Sequence, residues 1–134
     1  MIGYFTVVAC MFFCHIIDDF ILQAPCLVML KQKSYWKEAC PKEIFDRLYK
    51  HDYLIALLIH GFSWSFSIQL PFLILFWFMV PPVFLILLIS NTIIHAYIDH
   101  LKANKLKINL IQDQLLHLLQ ILYTALILAN TAVG

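Results

Sequence analysis

The sequence predicts an all-α integral membrane protein, a bundle of four transmembrane helices formed by a single domain over residues 1–134. Three observations support this prediction. The chain is 63% hydrophobic and only 13% charged, against about 25% charged residues in an average soluble domain. It contains four apolar segments, each near the roughly 20 residues that a helix needs to cross a bilayer. All of its basic residues fall in two places between those segments.

Prolines and polar stretches delimit the four segments. Pro25 follows the first segment, the pair Pro81-Pro82 separates the second from the third, and the polar loop 102–107 separates the third from the fourth. Proline cannot donate the main-chain hydrogen bond that a helix interior requires, so it favours helix ends. The predicted helices therefore cover about residues 2–24, 53–70, 83–101 and 109–132.

The second apolar segment is longer than one span. No side chain from Tyr53 to Val80 carries a full charge, and Pro71 lies inside this run. Because an internal proline kinks or ends a helix, we predict a regular helix to about Leu70. A kinked or looped extension then reaches residue 80.

The basic residues predict the orientation of the chain. Six of the nine lie in the connector 31–52 and three in the loop 102–107. With four spans these two segments lie on the same side of the membrane, and loops rich in Lys and Arg stay in the cytoplasm. We therefore expect a protein of the cytoplasmic (inner) membrane with both termini outside. Aromatic residues among the charges of the connector predict that part of it lies flat as an interfacial helix.

Every predicted helix carries ionisable or polar side chains that a bilayer disfavours. A charged group at the centre of a span costs roughly 2.5–3.5 kcal/mol on insertion scales. Three helices carry one imidazole and one carboxylate four residues apart, so that both project from one face. These pairs are His15 with Asp19, His95 with Asp99, and Asp113 with His117. Antiparallel packing would bring them together with His60 of the second helix, near the basic loops.

The chemistry of this cluster favours a metal. Neutral imidazole and carboxylate bind zinc, manganese or iron, and a divalent ion offsets the charge of buried carboxylates. We predict a divalent-metal site whose ligands are the three pairs, with Asp19 and His60 as acid–base groups of any reaction there. Supporting polar contacts are expected from Gln23, Asn91, Gln114 and Lys102. The alternative is a metal-free His–Asp network that fixes the packing of the helices.

Five further residues receive a simpler interpretation. Asp18 lies off the four-residue row and is expected at the membrane interface, with a place as a further ligand as the alternative. Lys102 is expected to extend toward the headgroups rather than bind an anionic group. Trp64 is expected in an interfacial belt or in contact with lipid. His51 and His100 lie among loop charges and are expected to be solvated.

The polar motifs, spread in order along nearly the whole chain, resemble a known family. They are His15-x-x-x-Asp19-Phe20-x-Leu22-Gln23, His60, His95-x-x-x-Asp99-x-x-Lys102 and Asp113-Gln114-x-x-His117. This arrangement resembles the small bacterial and phage membrane proteins catalogued as domain of unknown function 3307. The resemblance implies a multi-span membrane protein and supplies no activity.

Three functions are compatible with the pattern. The first is a membrane-embedded, metal-dependent hydrolase acting on a lipid or lipid-linked substrate from the cytoplasmic side. The second is a non-enzymatic membrane protein, of the phage exclusion or lysis type, with a structural His–Asp network. The third is a metal-ion or proton transporter, although such sites usually lie near the midplane of internally repeated folds. The expected partners are the lipid bilayer and a lipid or lipid-linked substrate, with no nucleic acid, although the net charge of +1 carries no information on nucleic acid; homo-oligomerisation stays open.

Overall fold

The structure, a computed structural model, describes residues 3–75 and 82–133, the last two by their backbone alone. Within these ranges the chain is helical and contains no strand. Two helices continue directly into a π-helical segment, which has a wider turn than an α-helix. The elements are α1 (Tyr4–Ile16) with its π-helical continuation (Ile17–Leu22), α2 (Pro25–Leu30), α3 (Lys33–Ala39), α4 (Lys42–Ile44) with its π-helical continuation (Phe45–Tyr49), α5 (Asp52–Leu75), α6 (Pro82–Ala103) and α7 (Leu110–Val133).

Four helical stretches are long and apolar enough to cross a membrane. They are Tyr4–Leu22, Asp52–Leu75, Pro82–Ala103 and Leu110–Thr131. They pack side by side, with α5 in contact with α1, α6 and α7. The prediction of an all-α bundle with four helices of spanning length is confirmed.

Helix α5 runs one turn further than the sequence indicated. The prediction placed the end of its regular part near Leu70, but the helix continues through Pro71 to Leu75. Proline removes one hydrogen bond, and Phe72 and Leu73, both buried against the bundle, hold the extra turn in place. The rest of the predicted extension, residues 76–80, and the first proline of the Pro81-Pro82 turn lie outside the described residues.

The half of the bundle that is remote from the connector has an apolar core. Ten buried residues, drawn from all four long helices, form one contiguous cluster. Its members are Val7, Val8, Met11, Trp64, Ile68, Phe72, Leu87, Ile121, Ala125 and Leu128. We call the opposite end, where the connector and the loop 102–107 lie, the basic end.

The connector is fastened to the basic end of α6. The side-chain amide of Asn104 donates to the carbonyl oxygen of Lys31 at 2.9 Å and accepts from the main-chain N–H of Lys33 at 2.7 Å. The indole of Trp36 donates to the carbonyl oxygen of Leu30 at 2.9 Å and stacks on Tyr49. These contacts fix residue 31 next to the polar interior of the bundle.

Candidate metal centre

The paired polar residues of the four long helices converge at the basic end, inside the bundle. Imidazoles from α5, α6 and α7 lie within 4 Å of carboxylates from α6, from α7 and from the π-helical continuation of α1. His95 and His117 have no exposed surface, His60 is 2% exposed, and Asp113 is 1% exposed. Asp19 is only partly buried. The convergence that the four-residue spacing predicted is therefore present.

Two overlapping groups of side chains could hold a metal ion. The first comprises Asp19, His60 and His95, and the second comprises His95, Asp99 and His117. In each group the ligating atoms lie within 4.8 Å of one another. His95, which belongs to both groups, occupies the centre of the cluster.

The separations between these atoms suit an intervening ion better than a direct hydrogen bond. His60 Nε2 lies 3.3 Å and His95 Nε2 lies 3.9 Å from Asp19 Oδ1, and His117 Nε2 lies 3.8 Å from Asp99 Oδ1. Hydrogen bonds between nitrogen and oxygen are about 2.7–3.2 Å long. Ligands about 2.0–2.2 Å from a tetrahedral zinc ion lie about 3.3–3.5 Å from each other.

Several buried atoms of the cluster have no hydrogen-bond partner among the described residues. They include both ring nitrogens of His95, both ring nitrogens of His117, and Asp19 Oδ1. Buried polar atoms are satisfied in most proteins because leaving them unpaired costs free energy. Imidazole nitrogens and carboxylate oxygens are the donors that divalent metals bind, so this set of buried atoms fits a divalent cation.

Aromatic stacking fixes the planes of the central imidazoles. The ring of His95 stacks on Trp64, at a centroid distance of 4.3 Å, and on His117, at 4.2 Å, and these two rings also contact each other. Trp64 has no exposed surface, so its expected place at the membrane interface or against lipid was wrong. Its indole belongs to the apolar core on one side and to the polar cluster on the other, which its amphipathic chemistry allows.

The π-helical continuation of α1 turns two adjacent carboxylates inward. Asp18 is 1% exposed, and its Oδ1 accepts hydrogen bonds from Ser63 at 2.7 Å and from Ser67 at 3.1 Å. The expectation that Asp18 faces the interface was therefore wrong. It assumed an α-helical turn, whereas the wider π-helical turn places Asp18 and Asp19 on the same side of the bundle.

His15 lies beside the candidate ligands rather than among them. The indole of Trp64 donates to His15 Nδ1 at 2.8 Å, so Nε2 carries the proton and donates to Gln114 Oε1 at 3.1 Å. Both nitrogens are thus engaged, and His15 belongs to neither metal-binding group. The sequence prediction of His15 as a ligand does not agree with this geometry, because spacing alone does not reveal partners on other helices.

Two lysines enter the cluster at its basic end. Lys31 Nζ lies 2.6 Å from Asp99 Oδ2, and Lys102 Nζ lies 2.6 Å from Asp113 Oδ2. Lys102 therefore binds a carboxylate instead of extending toward headgroups. Lys31 is 7% exposed and was missed by the sequence analysis, which treated it as one of six basic connector residues.

The remaining supporting residues fall into two places. Gln23 donates to His60 Nε2 at 3.2 Å, inside the cluster. Asn91 lies deeper in the bundle, where it donates to Thr124 at 2.8 Å and accepts from Gln120 at 2.9 Å. Asn91 thus supports the helices next to the cluster, and the structure gives it no contact with the candidate ligands.

The two histidines expected in solvent differ from each other. His51 is exposed. His100 is half-buried and stacks on Tyr53 at a centroid distance of 5.8 Å. Neither belongs to a metal-binding group among the described residues.

Comparison of the chain with protein-family models, curated proteins and solved structures gives no match. The resemblance to domain of unknown function 3307 stays a prediction.

Proposed function

We propose that the protein is an integral membrane protein that binds a divalent metal ion inside its helix bundle. The observation that carries the proposal is the set of unpartnered, buried imidazole and carboxylate atoms around His95. A network that served only to pack helices would be expected to satisfy its own hydrogen bonds. In this cluster the ring nitrogens of His95 and His117 have no hydrogen-bond partner among the described residues.

The charge of the cluster supports the same proposal. Four carboxylates lie in it, those of Asp18, Asp19, Asp99 and Asp113. In their charged forms, the two lysines offset only half of this charge. Two uncompensated negative charges inside a bilayer are costly, and one divalent ion would neutralise them. Zinc, manganese and iron all accept mixed imidazole and carboxylate ligands.

The experiment is elemental analysis of the protein purified in detergent without chelator. His95→Gln removes the ligand that both metal-binding groups share, and His51→Gln removes an exposed histidine outside the cluster as a matched control. We expect stoichiometric zinc, manganese or iron in the parent and in His51→Gln, and its loss in His95→Gln. A metal-free parent that also gains no thermal stability from added metals would contradict the proposal.

The position of the site in the bundle favours a hydrolase as the activity of this centre. The cluster lies at the basic end, and toward the opposite end the core contains apolar residues that include Phe72 and Leu128. A transporter needs polar access from both sides, whereas a hydrolase needs access from one. A metal held by these residues would activate a water molecule for the hydrolysis of an ester of a lipid or lipid-linked substrate at the cytoplasmic headgroup level. Asp19, which can bind the metal through one carboxylate oxygen and accept a proton on the other, would take the proton from water and return it to the leaving oxygen.

The hydrolase proposal has its own test. Purified protein loaded with zinc or manganese would be incubated with p-nitrophenyl acyl esters and bis(p-nitrophenyl) phosphate in detergent. We expect metal-dependent release of nitrophenolate that Asp19→Asn abolishes and His51→Gln preserves. A metal-loaded parent without activity on either class of ester would contradict the hydrolase and leave the metal-binding proposal intact.

A further inference from the structure

We infer that one metal ion fills the centre and that it binds at Asp19, His60 and His95, not at His95, Asp99 and His117. The inference rests on the proposed function, since it concerns the location and number of the ions. The two groups share His95. The groups differ in whether a lysine ammonium group neutralises their carboxylates, and this difference indicates which group holds the ion.

The half of the cluster around His117 already has its cations. Asp99 and Asp113 each have a lysine ammonium group at 2.6 Å. An ammonium group at this distance neutralises the carboxylate, and it would repel a divalent ion at the same oxygen because like charges interact strongly in a medium of low dielectric constant. Both carboxylates that face His117 are thus neutralised by lysines, so this half of the cluster attracts a divalent ion less strongly.

The two carboxylates that α1 contributes next to His60, those of Asp18 and Asp19, have no such cation among the described residues. Among the described residues, no Lys or Arg forms an ion pair with Asp18 or Asp19, and their neighbours within 4 Å include only histidines and neutral donors. Two adjacent carboxylates without a positive partner form the most attractive position for a divalent ion in this bundle. The two negative charges of the cluster that no lysine offsets are therefore those of Asp18 and Asp19.

The orientation of His60 agrees with this position. Gln23 donates to His60 Nε2, which identifies Nε2 as the unprotonated nitrogen. This nitrogen faces Asp19 Oδ1 at 3.3 Å and Asp99 Oδ2 at 3.7 Å. Its lone pair accepts from Gln23 in this structure, and a divalent ion at this position would replace the amide hydrogen. An imidazole binds a metal through its unprotonated nitrogen, so His60 is in the tautomer that this position requires.

Asp18 acts as a positioning residue for this ligand. Its Oδ2 lies 3.7 Å from His60 Nδ1, the protonated nitrogen, and its Oδ1 is held by Ser63 and Ser67. A carboxylate behind the second nitrogen of a metal-bound imidazole is a common arrangement that orients the ring. Asp18 thus sets the direction of His60 without touching the ion.

The test compares matched variants on the two sides of His95. Metal-stripped protein in detergent is titrated with Zn²⁺, and the number of bound ions and the dissociation constant are measured for the parent, His60→Gln, His117→Gln, Asp19→Asn and Asp113→Asn. We expect one ion in the parent. His60→Gln and Asp19→Asn should weaken binding by more than about 100-fold, beyond the roughly 10–100-fold that loss of a supporting partner causes. The other two variants should change it by less than about 10-fold.

The outcomes separate this inference from the proposed function. A parent that binds no zinc contradicts both. Binding of two ions per chain would overturn the inference and leave the metal-binding proposal intact. The same holds if His117→Gln and Asp113→Asn lose as much zinc affinity as His60→Gln and Asp19→Asn, or more. Circular dichroism identifies a variant that fails to fold, and the other member of its pair then decides. For Asp18→Asn, the absorption bands of bound Co²⁺ should shift while one ion still binds; unchanged bands would overturn its positioning role.

Discussion

The indole Nε1 of Trp64 donates a hydrogen bond of 2.8 Å to Nδ1 of His15. Because an indole nitrogen can only donate, this contact fixes the tautomer of His15 and leaves its Nε2–H to donate to Gln114. The amide of Gln114 in turn donates to Asp113 Oδ2 at 3.1 Å. One tryptophan thereby orders a chain of hydrogen bonds from α5 through α1 to α7, next to the candidate metal centre.

Replacing Trp64 by phenylalanine should destabilise the protein clearly. Trp64→Phe leaves Nδ1 of a buried histidine without its donor, at a cost of about 1–3 kcal/mol, and loses part of the ring that stacks on His95. The matched control is Trp36→Phe, in which a half-buried indole loses one hydrogen bond to the carbonyl of Leu30, worth about 0.5–1.5 kcal/mol. Unfolding by sodium dodecyl sulfate, followed by circular dichroism, measures both. A smaller loss in Trp64→Phe than in Trp36→Phe would contradict the role assigned to Trp64.

The two described glycines make opposite predictions for the same substitution. A Cβ atom at Gly61 would lie 2.6 Å from the carbonyl oxygen of Thr92, whereas a Cβ atom at Gly3 would meet nothing within 4 Å. Gly61→Ala must therefore push α5 away from α6, and overpacking of this kind costs about 1–3 kcal/mol. Gly3→Ala should leave the melting temperature in detergent nearly unchanged. Equal melting temperatures for the two variants would show that α5 and α6 do not approach as closely as described.

Local spacing predicted much of the candidate site. The four-residue separation of His95 and Asp99, and of Asp113 and His117, identified faces that do meet inside the bundle, because α6 and α7 are regular helices there. The apolar composition predicted the bundle itself, since only helices of spanning length can satisfy their main chain within lipid. These inferences depend only on the spacing and composition of residues along a segment, which can be read directly from the sequence.

The features that sequence reasoning missed depend on contacts between distant segments. Lys31 reaches Asp99 across 68 positions of sequence, and nothing in the connector distinguishes it from its basic neighbours. Asp18 turns inward because the chain becomes π-helical at Ile17–Leu22, a change of winding without a sequence signature. Trp64 lies in the interior because the partners for its N–H and its ring come from other helices.

Removing the serine donors of Asp18 should test whether this carboxylate is buried. Ser63→Ala combined with Ser67→Ala deletes both hydrogen bonds to Oδ1, and each bond to a charged group is worth about 1.5–3 kcal/mol. Ser90→Ala is the matched control, since its hydroxyl contacts only the carbonyl of Leu87 in its own helix. We expect the double variant to unfold at a clearly lower detergent denaturant concentration than Ser90→Ala. Unfolding of the two variants at the same detergent concentration would indicate that Asp18 faces the membrane interface instead.

The orientation of the bundle can be tested by cysteine labelling in intact bacterial cells. The four native cysteines, Cys10, Cys14, Cys26 and Cys40, are all free, and they would first be replaced by serine. Gly3→Cys and Lys105→Cys then introduce one thiol each at exposed positions, before the first span and in the loop between the third and fourth spans. The basic residues of the connector and of the loop 102–107 predict that this end faces the cytoplasm, because loops rich in Lys and Arg are retained there. A membrane-impermeant maleimide should therefore label Gly3→Cys in intact cells and Lys105→Cys only after permeabilisation. The reverse pattern would place the metal centre at the outer face and exclude a substrate at the cytoplasmic headgroups, whereas labelling of both thiols in intact cells would contradict the count of four spans or indicate a mixed orientation.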